Sequence, residues 1–268
     1  MKSSNIEVNE FFTNDYIYIP YTNKDELNIR SNSLVFKNDL ICENISSPVS
    51  GKIYGLSKIN GVEGTINVLI IENDFKDLVY ELKPAVKDIY KLKKEDVKKN
   101  ANITDKNIVL CIQKNYKNDI KDSYILKDYV KEVLETLNII NLKCNIKTKI
   151  LLEKKDIFSY QVLFSYLGTY PNIQIEFNHS KVKNYKEINI YDALDIYNKL
   201  NNNINRDFLY LTIQYKQKCY VIKTKRFSNL SEILLYLNIS PKKVYINNVV
   251  ISDINYLLTE NVSLISII

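Results

Sequence analysis

The stretch Ser33-Leu-Val-Phe-Lys-Asn-Asp-Leu-Ile-Cys42, followed by Ser46-Ser-Pro-Val-Ser-Gly-Lys-Ile-Tyr54, decides how the N-terminal part folds. Short apolar runs flank polar turns. The second stretch carries Pro48 and Gly51, a residue that lets a backbone reverse. Strand, turn, strand, then Pro-x-Ser-Gly-Lys and a further strand reads as a small β barrel-sandwich hybrid. Upstream, residues 11–20 alternate as one strand ending at Pro20. Strands are expected near 33–36, 40–43, 52–56 and 66–72, with Gly61 and Gly64 marking a hairpin turn. Residues 1–82 therefore form an all-β module of a size that folds alone.

Downstream the pattern changes. Residues 82–102 are lysine-rich and read as a linker with one surface helix, on the imperfect spacing of Val86, Ile89, Tyr90, Leu92 and Val97. Asn107-Ile-Val-Leu-Cys-Ile112 is a continuous apolar run, as for a strand covered on both faces. A helical stripe over 123–138 follows, with Asp122 or Ser123 placed to cap it. Strands over 146–152 and 173–177 bracket a helix that Asp156 can cap and that stops before Gly168 and Pro171. A further helix spans 190–200. Strand and helix alternate, so 83–203 is expected to be an α/β, Rossmann-like domain with a mostly parallel sheet.

Residues 204–268 read as two strands (208–213 and 219–223), a helix over 229–238, a hairpin turning at Asn247-Asn248, and a terminal strand. Both positions of a type I′ turn favour Asn. This order suggests a β-grasp fold. The fold class expected overall is a multi-module α+β and α/β chain.

Several function classes are disfavoured by composition. The net charge of +6 over 268 residues comes from lysines interspersed with acids, a solvated-surface pattern that gives no reason to expect nucleic-acid binding. Cys42, Cys111, Cys144 and Cys219 form no Cys-x-x-Cys pair, so buried free thiols are expected rather than zinc or iron–sulfur ligands. No N-terminal signal and no membrane-length apolar run is visible, which makes a cytoplasmic location the default expectation. His179 is the only histidine and reads as a loop residue, which leaves most Ser-His-Asp and Cys-His schemes without a base. Lys52 lacks the Met-Lys-Met or Asp-Lys-Ala setting of carrier lysines. The tyrosines read as core and rim.

The module order resembles the RnfC family, the electron-input subunit of bacterial ion-translocating ferredoxin–NAD oxidoreductases. Val35-Phe-Lys-Asn-Asp-Leu-Ile41 is similar to that family's V-x-x-G-D-x-V turn, and Ser47-Pro-Val-Ser-Gly-Lys-Ile53 to its A-P-V-S-G-K-V. Tyr170-Pro171 and Asn189-Ile-Tyr-Asp-Ala-Leu-Asp-Ile-Tyr-Asn-Lys199 match later positions. The tail resembles the β-grasp module called SLBB. Related proteins include the flavin-bearing subunit of respiratory complex I and proline-reductase-associated electron-transfer proteins. The resemblance implies partners among redox enzymes or membrane electron-transfer complexes, by peripheral association.

Two departures from the family alter that expectation. The family's Gly-rich loop G-L-G-G-A-G-F-P-T precedes the first α/β strand, where its backbone N–H groups approach phosphate or flavin. Here no glycine occurs between Gly64 and Gly168. The family's two C-x-x-C-x-x-C-x-x-x-C-P cluster motifs are also absent. The family's Glu-Pro after the first α/β strand is replaced by Cys111-Ile-Gln-Lys-Asn-Tyr-Lys-Asn-Asp119. Asp119 and Asp122 remain as acids near that strand end, candidate cofactor-binding residues whose simpler reading is a solvated loop and a helix cap. The expectation is a scaffold or docking subunit with no cofactor and no catalytic residues. The alternatives are an electron-transfer subunit with an atypical flavin/NADH site in the α/β cleft, or a non-redox SLBB ligand-binding module.

Overall fold

The computed structural model describes residues 5–22, 26–29, 33–42, 45–80, 88–102, 107–112, 116, 119–177, 185–201 and 204–268. Among these, the chain runs β1 (Asn5–Phe12), β2 (Tyr16–Tyr21), β3 (Leu34–Val35), β4 (Leu40–Cys42), β5 (Ile45–Ser46), β6 (Gly51–Gly61), β7 (Gly64–Asn73), α1 (Lys94–Asn100), β8 (Asn107–Ile112), α2 (Lys121–Cys144), β9 (Thr148–Leu152), α3 (Ile157–Phe164), β10 (Gln174–Phe177), β11 (Tyr185–Ile188), α4 (Ile190–Asn201), β12 (Phe208–Tyr215), β13 (Lys218–Lys225), α5 (Leu230–Tyr236), β14 (Val244–Ile246), β15 (Val249–Ile251) and β16 (Leu264–Ile267). The fold is mixed α and β, with parallel and antiparallel sheets and five α-helices among the described residues. It divides into two compact units, residues 1–82 with 207–268, and residues 83–206.

The first unit is built on two sheets. One is antiparallel, ordered β2-β7-β6-β3, beside the small β4–β5 pair. Its inward residues Ile17, Ile19, Val35, Ile41, Val49, Val68, Leu69 and Ile71 are buried, each contributing about 1.5–3 kcal/mol of transfer free energy. The other sheet is six-stranded, ordered β1-β13-β12-β16-β14-β15, with β12–β13 antiparallel and β12–β16 parallel. Phe227 and Leu257 from the C-terminal part enter the core of the first sheet. Backbone bonds from Tyr18 N–H to Phe227 O (2.9 Å) and Leu257 N–H to Asn60 O (2.8 Å) complete the join.

Residues 11–20 are not one strand. The chain breaks at Thr13-Asn14-Asp15, and β1 leaves to pair in parallel with β13 while β2 pairs with β7. Asn14 and Thr224 hold the break: the Thr224 hydroxyl donates to Asn14 Oδ1 at 3.2 Å, and Asn73 Nδ2 donates to Asn14 O at 3.0 Å. Alternation of apolar and polar residues is blind to a change of sheet.

Gly51 also has a role other than the one its turn setting suggested. It lies inside the ladder opposite Asn73, and a Cβ there would sit 2.0 Å from the Glu72 carbonyl oxygen. Close strand approach, not reversal, requires the glycine. Lys52 is exposed in the same strand, paired with Leu34 and Glu72 rather than at a hairpin tip. The Gly61–Gly64 hairpin forms as expected, with Gly64 at φ +102°. Asn247 (φ 52°) and Asn248 (φ 66°) make the type I′ turn.

The second unit centres on a four-stranded sheet, ordered β10-β9-β8-β11, with every pair parallel. Ile108, Val109, Leu110, Ile112, Ile150, Leu151 and Leu152 are buried in it. The segment after residue 88 is more than a linker with a surface helix. Ile89, Val97 and Ala101 are buried, and α1 packs against α2 and α4. Helix α2 is longer than the expected 123–138 and departs from helical geometry at Tyr129 (φ −129°, ψ 27°). Strand β11 has one buried residue in four, Ile188, too little pattern to be read from sequence. No helix among the described residues is long and apolar enough to cross a membrane.

Candidate functional site at the carboxyl ends of the parallel sheet

In the second unit, successive strands β8, β9 and β10 step outward in one direction, and β11 returns to the other side of β8. The order reverses between β8 and β11. In α/β sheets, ligands bind in the crevice outside the carboxyl ends at such a switch point. Three helices begin at this end: α2 after β8, α3 after β9 and α4 after β11. Their first turns present free N–H groups and the positive ends of the helix dipoles.

Each of these starts is met by a side chain of the protein itself. Asp119 is buried, and its Oδ1 accepts the backbone N–H of Lys121 at 3.2 Å. Asp156 caps α3. Its Oδ1 accepts Ser159 N–H at 3.1 Å and its Oδ2 accepts the Ser159 hydroxyl at 2.7 Å. The Ser123 hydroxyl, in the first turn of α2, also donates to Asp156 Oδ2 at 3.2 Å. At α4, Asp192 N–H donates to Asn189 Oδ1 and Asn189 N–H donates to Asp192 Oδ2, both at 2.9 Å. This is a reciprocal capping arrangement.

Asp119 and Asp122, the two sequence candidates, are brought together with Asp156. Neither Asp122 nor Ser123 caps α2: the N-cap position is Ile120, without a side-chain cap, and Asp119 one residue earlier accepts the Lys121 N–H and is buried rather than in a solvated loop. Asp122 is half-buried. Burial pushes its carboxyl up to about 7; Lys121 opposes the rise, and the negative charges of Asp119 and Asp156 add to it. This carboxyl resists ionisation chiefly because it is desolvated, and the two neighbouring carboxylates add to that.

Sequence reading missed the basic side of the crevice. Lys121 is buried, with Nζ 6.0 Å from the centroid of the buried Tyr191 ring. The fully buried Arg206 side chain lies over the same ring at 4.2 Å and donates from Nε to Asp195 Oδ1 at 3.1 Å. Arg206 is thus held against α4, within the second unit, by stacking and an ion pair. The Asn189-x-x-Asp192 spacing was a readable signal for the start of α4. Nothing in the local sequence marks the Lys121–Tyr191–Arg206 stack.

Cys42, Cys144 and Cys219 are buried and Cys111 is half-buried, none of them in a disulfide; burial pushes the Cys111 thiol up to about 11, with Glu187 adding to the rise. A thiol so raised is a poor nucleophile. Among the described residues no three His, Cys, Asp or Glu side chains are grouped to hold a metal ion. His179 lies outside the described residues. Compared with known proteins, the sequence matches no family model, and no curated protein matches it.

Each of the three helix starts has at least one backbone N–H bonded to a side chain of the protein itself. Helix N-termini that could bind a phosphate already carry carboxylates. An anionic ligand at this end would share the crevice with Asp119, Asp122 and Asp156.

Proposed function

We propose that this chain is an RnfC-like protein: a barrel-sandwich hybrid, a Rossmann-like α/β domain and an SLBB-type β-grasp module, in that order. It acts as a docking or scaffold subunit of an electron-transfer system and carries no redox centre of its own. The 3-2-1-4 order of the parallel sheet and the two-sheet first unit support the module assignment. The observation that carries the functional reading is the carboxylate-filled crevice. Where a nucleotide-binding relative would offer glycines and open helix N-termini, this chain offers three aspartates and, between Gly64 and Gly168, no glycine. A chain that keeps the scaffold but blocks the phosphate position works through its surfaces.

Protein purified from its native cells without oxygen tests this reading. Co-purification with flavin- and iron-bearing subunits is expected, together with a colourless chain once they are separated. Stoichiometric flavin or iron retained on the isolated chain would end the proposal.

A second reading rests on Asp122. A carboxyl poised near neutral pH at a switch point is the kind of group that binds or protonates a ligand. It would suit an electron-transfer subunit with an atypical site, and saturable binding of FMN or NADH would favour it.

A further inference from the structure

A cavity of about 340 Å³ opens on the first unit, where the tip of the β6–β7 hairpin meets the loop that follows Leu257. That volume lies at the small end of the range for ligand sites, roughly 300–1,000 Å³. The buried Phe227 and Leu257 and the half-buried Ile45 and Ile66 form its apolar floor. Val62, Glu63 and Asn261 are exposed at its mouth, and Thr259 and Glu260 are half-buried beside them.

The walls are held by the fold itself. Leu257 N–H donates to Asn60 O at 2.8 Å and Leu258 N–H to Ser228 O at 3.0 Å. Asn247 Nδ2 donates to Asn261 O at 2.7 Å, which anchors the far end of the loop. Asn261 Nδ2 in turn reaches Glu63 Oε1 at 3.4 Å and links loop to hairpin. Within the hairpin, Gly61 leaves room for the Ile66 side chain: a Cβ there would lie 2.6 Å from Ile66 Cδ1. A cavity already formed lowers the ordering cost of binding.

We infer that this cavity binds a small organic cation, an ammonium group joined to an aromatic or branched aliphatic body. Charge decides the class. Among the described residues, the lining carries two carboxylates, Glu63 and Glu260, and no lysine, arginine or histidine. This is the reverse of the chain as a whole, whose net charge is +6. Glu260 is paired with Arg226, which stands outside the lining with Nε 2.8 Å from Oε1. Glu63 meets the neutral Asn261 amide, so the mouth keeps a negative charge. An ammonium group would sit against the Glu63 carboxylate while its apolar body covers Ile66 and Phe227. A carboxylate or phosphate would face Glu63 with no cation in the lining to offset it, and like charges so placed repel.

NMR titration of the full chain, methyl-labelled at isoleucine, leucine and valine, with phenethylamine at low salt tests the assignment. Saturable shifts of the Val62, Ile66 and Leu257 methyl signals are expected, with a Kd of about 1 mM. Phenethyl alcohol, the same body without the charge, should bind about 5-fold more weakly, and phenylacetate more weakly still. Glu63→Gln should remove the preference for the amine over the alcohol. Val62→Trp, at an exposed position, should fill the mouth and abolish binding of both. Far-UV circular dichroism verifies folding, and Glu63→Gln decides the matter if Val62→Trp does not fold. Three results would each overturn the inference: no saturable shift at about 10 mM phenethylamine, an alcohol or phenylacetate that binds as tightly as the amine, or binding that the folded variants leave intact.

Discussion

Replacing Asp122 by asparagine should stabilise the second unit at mildly alkaline pH and do little in acid. A carboxyl that titrates near 7 when folded, against 3.8 as a free side chain, lowers stability when both states are ionised. The full difference corresponds to about 4 kcal/mol. Asp122 is half-buried and retains some hydration, so about 2 kcal/mol is the expected gain. The folded pKa lies above the unfolded one, so the destabilisation is absent below about pH 3.8, grows as the pH rises, and is complete above about 7. Asparagine mimics the protonated state and escapes this trend. Urea unfolding followed by far-UV circular dichroism at about pH 5 and pH 8 measures it. The gain should be clear at pH 8 and much reduced at pH 5. A variant less stable than wild type at pH 8, or one whose effect is independent of pH, would refute the reasoning that burial, with Asp119 and Asp156 beside it, holds this carboxyl's pKa up.

The first unit offers two further tests. Gly51→Ala should destabilise it by about 3 kcal/mol, because the new Cβ meets the Glu72 carbonyl at 2.0 Å and neither strand can yield; a thermal melt suffices, and an unchanged midpoint would remove the close-approach argument. Lys225→Met breaks an ion network. Lys225 is nearly fully buried and bonds Asp77 at 2.8 Å and Asp207 at 3.0 Å, while Lys37 reaches the same two carboxylates at 3.0 and 2.7 Å. Losing one cation should cost about 2 kcal/mol, less than a fully buried pair because Lys37 remains and Asp77 is partly exposed. Burial raises the Asp207 pKa, but Lys225 and Lys37 outweigh it and the net shift is downward. Its contribution is therefore present above pH 3.8 and lost as the pH falls through the folded value. The variant should show a weaker acid dependence in urea unfolding.

Local chemistry was legible in the sequence where a few adjacent residues determine the outcome. Gly61 with Gly64, Asn247 with Asn248, and Asp156 before Ile157 each announce a turn or cap that needs no distant partner. The continuous run 107–112 marked a doubly covered strand for the same reason. Pairings across the chain were not legible. Strand β1 meets β13 more than two hundred positions away, so residues 11–20 read as one strand although Asn14 divides them. Gly51 has a sequence setting that suits a turn, and only the position of Glu72 shows why a side chain is excluded. At the crevice, Asp119 and Asp122 were visible as acids after a strand. Their convergence with Asp156, and the stack of Lys121 and Arg206 on Tyr191, depend on how three crossover connections bring separate loops to one edge.

Under the proposed function, carboxylates stand at the helix starts where a nucleotide phosphate would otherwise sit. Titrating the protein with FMN near pH 8, followed by flavin fluorescence, tests it most directly. The account predicts no saturable binding up to about 1 mM, a Kd weaker than about −4 kcal/mol of binding free energy would give. Saturable binding in the micromolar range, lost on mutation of the residues around Lys121 and Asp122, would contradict it.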